Sequence, residues 1–268
     1  VLLSAWLDEY DDPREREEIQ VFAPSAIPWS RTGFTPRAAT REDIAHLVEG
    51  FSEAARRAKD AGFDAVEFHG AHGLLMTSFL SPRTNKRSDE YGGSVENRCR
   101  FVCEVLRRTR EKVGPNFPIS LRISGSDFLP GGMGLEDVKL QAPLFVAAGA
   151  DVLSISASVW ETSHWQFIPH LLPDAAIVHL AEAIKGVVNV PVITVGKIGD
   201  PRLADQILEQ GKADFVAMGR ALLADPHLLI KSIEGKMGEP RQRPPYPVAQ
   251  GIHGRPTAIN NVETWANI

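Results

Sequence analysis

Apolar positions along the chain switch repeatedly between a helical rhythm and short unbroken runs. From Thr40 to Gly62, Ile44, Leu47, Val48, Phe51, Ala54, Ala55 and Ala58 fall at helical spacing. Thr40 with Asp43 three residues on has the pattern of a capping box. A short apolar strand at residues 65–68 follows, then a loop, and then Ser94 as the cap of a helix carrying Phe101, Val102, Val105 and Leu106. The alternation continues with a strand at 119–123, a helix from about 135 to 148 and a strand at 152–155. After a long loop with Trp160 and Trp165 come a helix at 176–186, a strand at 190–195, a helix at 201–210, a strand at 214–218 and a helix from about Asp225.

These are five strand-helix units whose strands read as short, fully apolar runs, the signature of strands buried on both faces and therefore parallel. Right-handed crossovers at this spacing predict a (β/α) barrel or a doubly wound sheet. Either fold builds its site at the C-terminal ends of the strands, where the polar, glycine-rich stretches of this chain fall. A closed eight-stranded barrel needs roughly 250 residues and three further strands before residue 65. Residues 1–40 hold a mixed-charge run, a candidate strand at 19–22 and a loop punctuated by Pro24, Pro28 and Pro36. They must supply makeshift strands, or the barrel is incomplete.

Composition narrows the function classes. The 268 residues are 43% hydrophobic and 24% charged, which is enough apolar material for a sizeable core. A net charge of -5 argues against nucleic acid or an anionic membrane as partner. Neither a membrane-spanning run nor the charge order of a signal peptide is expected. Cys99 and Cys103, four apart on one helix face, suit neither a disulfide nor a metal centre, so a cytoplasmic setting is the simplest expectation.

The chemistry concentrates in Glu67-Phe68-His69-Gly70-Ala71-His72-Gly73, just past a strand end. Two neutral imidazoles there could hold a carbonyl or phenolate oxygen, although spacing alone equally allows two unrelated loop histidines. Arg122 lies inside an apolar strand, where a guanidinium is expensive unless it meets an anion. Gly196-Lys197 and Gly219-Arg220 follow two consecutive strands, a position at which many barrels hold phosphate.

The stretch from Gly62 to Gly73, its continuation from Phe79 to Arg98, Leu121-Arg122-Ile123-Ser124, Val195-Gly196-Lys197-Ile198 and the run from Ala217 to Pro226 resemble the old yellow enzyme family of FMN-dependent oxidoreductases. Ala23-Pro24-Ser25-Ala26-Ile27-Pro28 fits the same pattern, so the likeness covers about residues 22–230. It implies a TIM (β/α)8-type barrel, incomplete or N-terminally rearranged, whose last five units are recognisable. It implies FMN as cofactor, NAD(P)H as reductant and a small-molecule enone or related acceptor. His69 and His72 match the pair that binds the acceptor's carbonyl, and Arg122 the arginine beneath the flavin pyrimidine. Gly196, Lys197, Gly219 and Arg220 match the phosphate loops, with Arg220 paired to the phosphate. The stretch from Arg83 to Asn97 is expected to have a structural role, bracing the helix after the family's fourth strand. Leu74 stands where many relatives carry a proton-donating tyrosine, the family's first and third strands find no match, and with no cysteine after Cys103 the branch with an iron–sulfur cluster is not expected.

Residues 1–21 form an atypical N-terminal segment. Residues 231–268 read as an extended proline-rich arm, in which the segment from Glu234 to Thr264 is similar to part of the NADH-binding flavin subunit of respiratory complex I. Three expectations follow: an ene-reductase, a flavin-dependent amine or alcohol dehydrogenase with Trp160 and Trp165 caging a cation, or a non-catalytic barrel portion. In the last case a partner chain or a second copy would cover open strand edges.

Overall fold

The computed structural model describes residues 21–29 and 33–237. The candidate strand at 19–22 and the C-terminal arm therefore lie largely outside the described residues. Five strands form one parallel sheet in sequential order: β3 (Val66–Gly70), β4 (Ile119–Ser124), β5 (Val152–Ser156), β6 (Val192–Thr194) and β7 (Phe215–Val216). A separate parallel pair, β1 (Phe22–Ala23) with β2 (Arg37–Ala38), precedes them.

Local chemistry explains the longer helices. In α1 (Arg41–Asp60), the Thr40 hydroxyl accepts from the Asp43 N–H while the Asp43 carboxylate accepts from the Thr40 N–H, closing the expected capping box. Ser94 caps α3 (Val95–Val113) by accepting from the Asn97 N–H. Between them lies α2 (Leu75–Leu80), which the periodicity does not predict because Met76 to Leu80 are all buried and no face is polar. Within α1, Ser52 rather than Ala54 faces inward, its hydroxyl donating to the Glu49 carbonyl.

Helices α1, α3 and α4 (Leu135–Ala147) pack in succession over one face of the sheet. Phe101 lies at the centre of that layer, with Phe79 4.6 Å away and Phe51 6.3 Å away, ring to ring. The sheet contributes Phe68, Leu121, Leu153 and Val192, one register row across four strands.

The strands are parallel, as expected, but they are not apolar on both faces. Alternate positions form a polar face opposite the helices, with Glu67 beside Ser120 and with His69, Arg122 and Ser154 in the next row. Glu67 accepts from the Ser120 hydroxyl at 2.8 Å. Glu67 and His69 are exposed, and Arg122 is half-buried. The remaining helices are α5 (Val178–Lys185), α6 (Pro201–Glu209), α7 (Arg220–Ala224) and α8 (Leu228–Ile233), and a 3-10 segment occupies Trp160–Trp165.

The stretch from Arg83 to Asn97 fastens the small N-terminal sheet to the rest. Arg87 donates to the carbonyls of Pro24 and Ala39, and the Lys86 N–H donates to Ser25. Asn85 bridges the Phe79 and Tyr91 carbonyls.

Candidate active site

His69 ends up on the polar face of β3 because strand positions alternate, and the turn after Gly70 brings His72 back toward it. His69 Nε2 and His72 Nδ1 are 3.3 Å apart. The turn needs a left-handed residue at His72, with φ 65, and another at Gly73, with φ 74. At Gly73 a side chain would also meet Val159 at 3.4 Å. The His72 N–H is tied to the Ser124 hydroxyl, which donates to the Ser158 carbonyl. Three strand ends thus hold one histidine backbone. Among the described residues, His72, Phe128, Ser158, Ala175 and Lys197 are the non-glycine residues with positive φ, and all follow sheet strands at their C-terminal ends or lie in the connections beyond. Backbone strain of this kind gathers at functional sites.

Burial lowers the His72 pKa to about 3, with Arg122 and His69 adding to the effect. The His69 pKa is lowered too, chiefly by desolvation and then by Arg122, while Glu67 opposes the shift. Both rings are therefore neutral near pH 7 and can offer N–H groups without carrying charge. Arg122 stands beside His69 in the strand register. Its Nε is buried and has no hydrogen-bond partner among the described residues. A buried guanidinium nitrogen left unpaired is costly, and an anionic or acceptor-rich group would remove that cost.

The residues expected to hold phosphate form a second group. Gly196 has φ 126, and a Cβ there would lie 2.4 Å from Ile177 Cγ1. The Lys197 ammonium donates to the carbonyls of His170 and Leu172 and pairs with Asp174 at 3.3 Å. Gly219 is the N-cap of α7 and has open space where a side chain would sit. Arg220 donates to the Ile168 carbonyl at 2.9 Å. Both loops therefore converge on the segment from Ile168 to Ile177, and they leave adjacent strands, Thr194 of β6 pairing with Val216 of β7. The two groups share the same end of the sheet.

Ser156 and Gln166 also belong to the site. Ser156 Oγ is 2.8 Å from His72 Nε2, and the Gln166 amide nitrogen is 3.2 Å from His72 Nδ1. The alternating serines at 154, 156 and 158 were a legible sign of a polar face, whereas Gln166 carried no local signal. Around them stand Trp165, stacked on Phe128 at 4.5 Å, and Trp160, edge-on to Trp29 at 6.1 Å.

The sequence profile of the NADH:flavin oxidoreductase / NADH oxidase family matches residues 9–238. The chain belongs to this family. Members of the NADH:flavin oxidoreductase family, which includes the old yellow enzymes, use FMN with NAD(P)H as reductant. The chain is 46% identical over 230 residues to an NADH oxidase of Thermoanaerobacter brockii, covering 86% of this chain and 35% of that relative. Histamine dehydrogenase from Rhizobium sp. 4-9 superposes with a TM-score of 0.75 at 32% identity, over 85% of this chain and 33% of that one. Morphinone reductase in complex with tetrahydroNAD gives 0.67 at 29% identity, over 85% and 62%. The chain thus spans about a third of the length of the first two. These likenesses place it in the TIM-barrel α/β fold. The family match ends at residue 238, and the segment likened to complex I lies almost wholly beyond it and outside the described residues.

Proposed function

We propose that this chain is the flavin-binding portion of an NAD(P)H-dependent FMN oxidoreductase of the ene-reductase kind, acting on an α,β-unsaturated carbonyl compound. The observation that carries this reading is the neutral pair His69–His72, 3.3 Å apart, beside an arginine whose buried Nε lacks a partner. FMN, when bound, supplies the hydride that it takes from NAD(P)H. His69 and His72 hold the acceptor's carbonyl oxygen and draw electron density from the conjugated system, so the β-carbon becomes electrophilic. Arg122 would hold the pyrimidine edge of the flavin and balance negative charge there. Gly196, Lys197, Gly219 and Arg220 would hold the phosphate, with the Lys197 ammonium fixing its own loop through the carbonyls of His170 and Leu172. Leu74 has no proton to give, so the α-carbon takes one from water or another side chain.

A second reading, oxidation of an amine, draws on the aromatic groups around Trp160 and Trp165 and on the likeness to histamine dehydrogenase. Bleaching by reduced nicotinamide followed by recovery with cyclohexenone favours ene reduction, and bleaching by an amine alone favours the alternative. In either reading, we propose that a second copy or partner chain covers the edges of β3 and β7, the outer strands of the described sheet. Sedimentation at the mass of a single chain would remove that part. The buried free thiols of Cys99 and Cys103, the latter pushed up to about 11 by burial, suit a cytoplasmic setting.

The direct test is binding of 4-chlorophenol to the FMN-loaded protein, followed by its long-wavelength charge-transfer band. His69→Ala and His72→Ala should each weaken binding about tenfold, the value of one hydrogen bond. Unchanged affinity in both variants removes the roles given to the pair.

A further inference from the structure

Ser156 and Gln166 meet the His72 ring at opposite nitrogens, and together they fix where its proton sits. His72 Nε2 lies 2.8 Å from Ser156 Oγ. Its Nδ1 faces two nitrogens, His69 Nε2 at 3.3 Å and the Gln166 amide nitrogen at 3.2 Å. A neutral imidazole has one N–H and one bare nitrogen, and an amide nitrogen has only protons to offer. With the amide nitrogen turned to it, the His72 nitrogen facing Gln166 is left to accept, and the ring proton falls to Nε2, where the Ser156 hydroxyl can accept it.

A carbonyl oxygen between the two rings reverses this requirement. It brings only lone pairs, so His69 Nε2 and His72 Nδ1 must both carry protons to hold it. The empty pair has one proton in that gap, while the loaded pair needs two. Ser156 is the neighbour that can serve both states, because a hydroxyl donates as readily as it accepts. It is 2% exposed, at the end of β5 and in register with Ser124 of β4. Ser124 in turn holds the His72 backbone N–H. The backbone is thus anchored independently of the ring, and the ring can change tautomer without moving its loop.

We propose that Ser156 and Gln166 are positioning residues that hold His72 as the Nε2–H tautomer in the empty site, and that Ser156 turns its hydroxyl to donate to Nε2 when a carbonyl oxygen arrives and Nδ1 takes the ring proton. The N–H bond at Nε2 breaks and one at Nδ1 forms by exchange with solvent. Net charge is unchanged, and no oxidant or reductant takes part. Gln166 yields its place at Nδ1 to the incoming oxygen. The inference rests on the reading of His69 and His72 as an oxygen site.

The test is nitrogen-15 NMR of the full chain labelled at histidine, with His72 assigned by the signals lost in His72→Gln. In the empty protein Nε2 should be protonated and Nδ1 bare. Cyclohexenone added to the FMN-loaded protein, with no reductant present, should move the proton to Nδ1. Gln166→Leu should leave the empty ring a mixture of tautomers, because it removes the amide protons that face Nδ1. Ser156→Ala should keep the empty tautomer but weaken cyclohexenone binding about tenfold, because the loaded Nε2 loses its donor, and Ser156→Thr should restore binding. Side chains that merely packed the strand end would move neither readout. Nδ1–H in the empty wild-type protein, an unaltered tautomer in folded Gln166→Leu, or unweakened cyclohexenone binding in folded Ser156→Ala overturns the proposal. If the empty tautomer is as stated but cyclohexenone neither binds nor moves the proton, the oxygen-site reading fails and the switch with it. In that case the fixed Nε2–H tautomer stands.

Discussion

His72 stays neutral because burial, Arg122 and His69 all oppose a second proton on its ring. That has a consequence for stability. The unfolded chain protonates this side chain near 6.5 and the folded protein near 3. The contribution is complete above pH 6.5 and is lost as pH falls toward 3, at about 1.4 kcal/mol per pH unit while the unfolded chain binds the extra proton. Urea titrations between pH 6.5 and 4.5 should show the wild type losing stability faster than His72→Asn by about that slope, since carboxylates common to both cancel. Parallel curves would mean that the ring is not held neutral. Arg122 gives a prediction of opposite signs. Arg122→Met should leave the ligand-free protein as stable or more so, because it removes a buried nitrogen without a partner. The same change should weaken FMN about ten- to a hundredfold, the worth of a charge-assisted hydrogen bond. A variant that loses stability and keeps FMN affinity would assign Arg122 to the scaffold.

The two glycine loops separate packing from ligand contact. At Gly196 an added Cβ meets Ile177 Cγ1 at 2.4 Å and the backbone is left-handed, so Gly196→Ala should destabilise the fold by about 1–3 kcal/mol. At Gly219 the space is open, so Gly219→Ala should fold normally and, where backbone must approach a phosphate, bind FMN less tightly. Thermal melts with and without FMN check both, and equal melting behaviour of the two variants would contradict the distinction. Elements of this size were legible where their signals are local. Thr40 with Asp43, and Ser94, gave the starts of α1 and α3 because a capping side chain acts within three residues. The helix α2 was hidden because a segment buried all round has no polar face to set a period. The polar rows Glu67–Ser120 and His69–Arg122–Ser154 were passed over because apolar neighbours at alternate positions make a short strand read as a continuous run.

At the scale of the molecule, the order β3 to β7 in a single parallel sheet was readable from the alternation of strands and helices. The expectation of a site at this end of the sheet rests on motif likeness. What the sequence could not supply was the meeting of distant parts: Gln166 reaches His72 across 94 positions, and Arg220 reaches Ile168 across 52. Such contacts depend on how several connections fold back over the strand ends, and no local spacing encodes them. On the reading proposed above, five parallel strands, the His69–His72 pair and Arg122 make a flavin site. The most direct test of that reading is the visible absorption spectrum of the 268-residue chain after incubation with excess FMN and desalting. The account predicts a yellow protein carrying about one flavin per site, released on denaturation. A colourless protein that retains no FMN would contradict it.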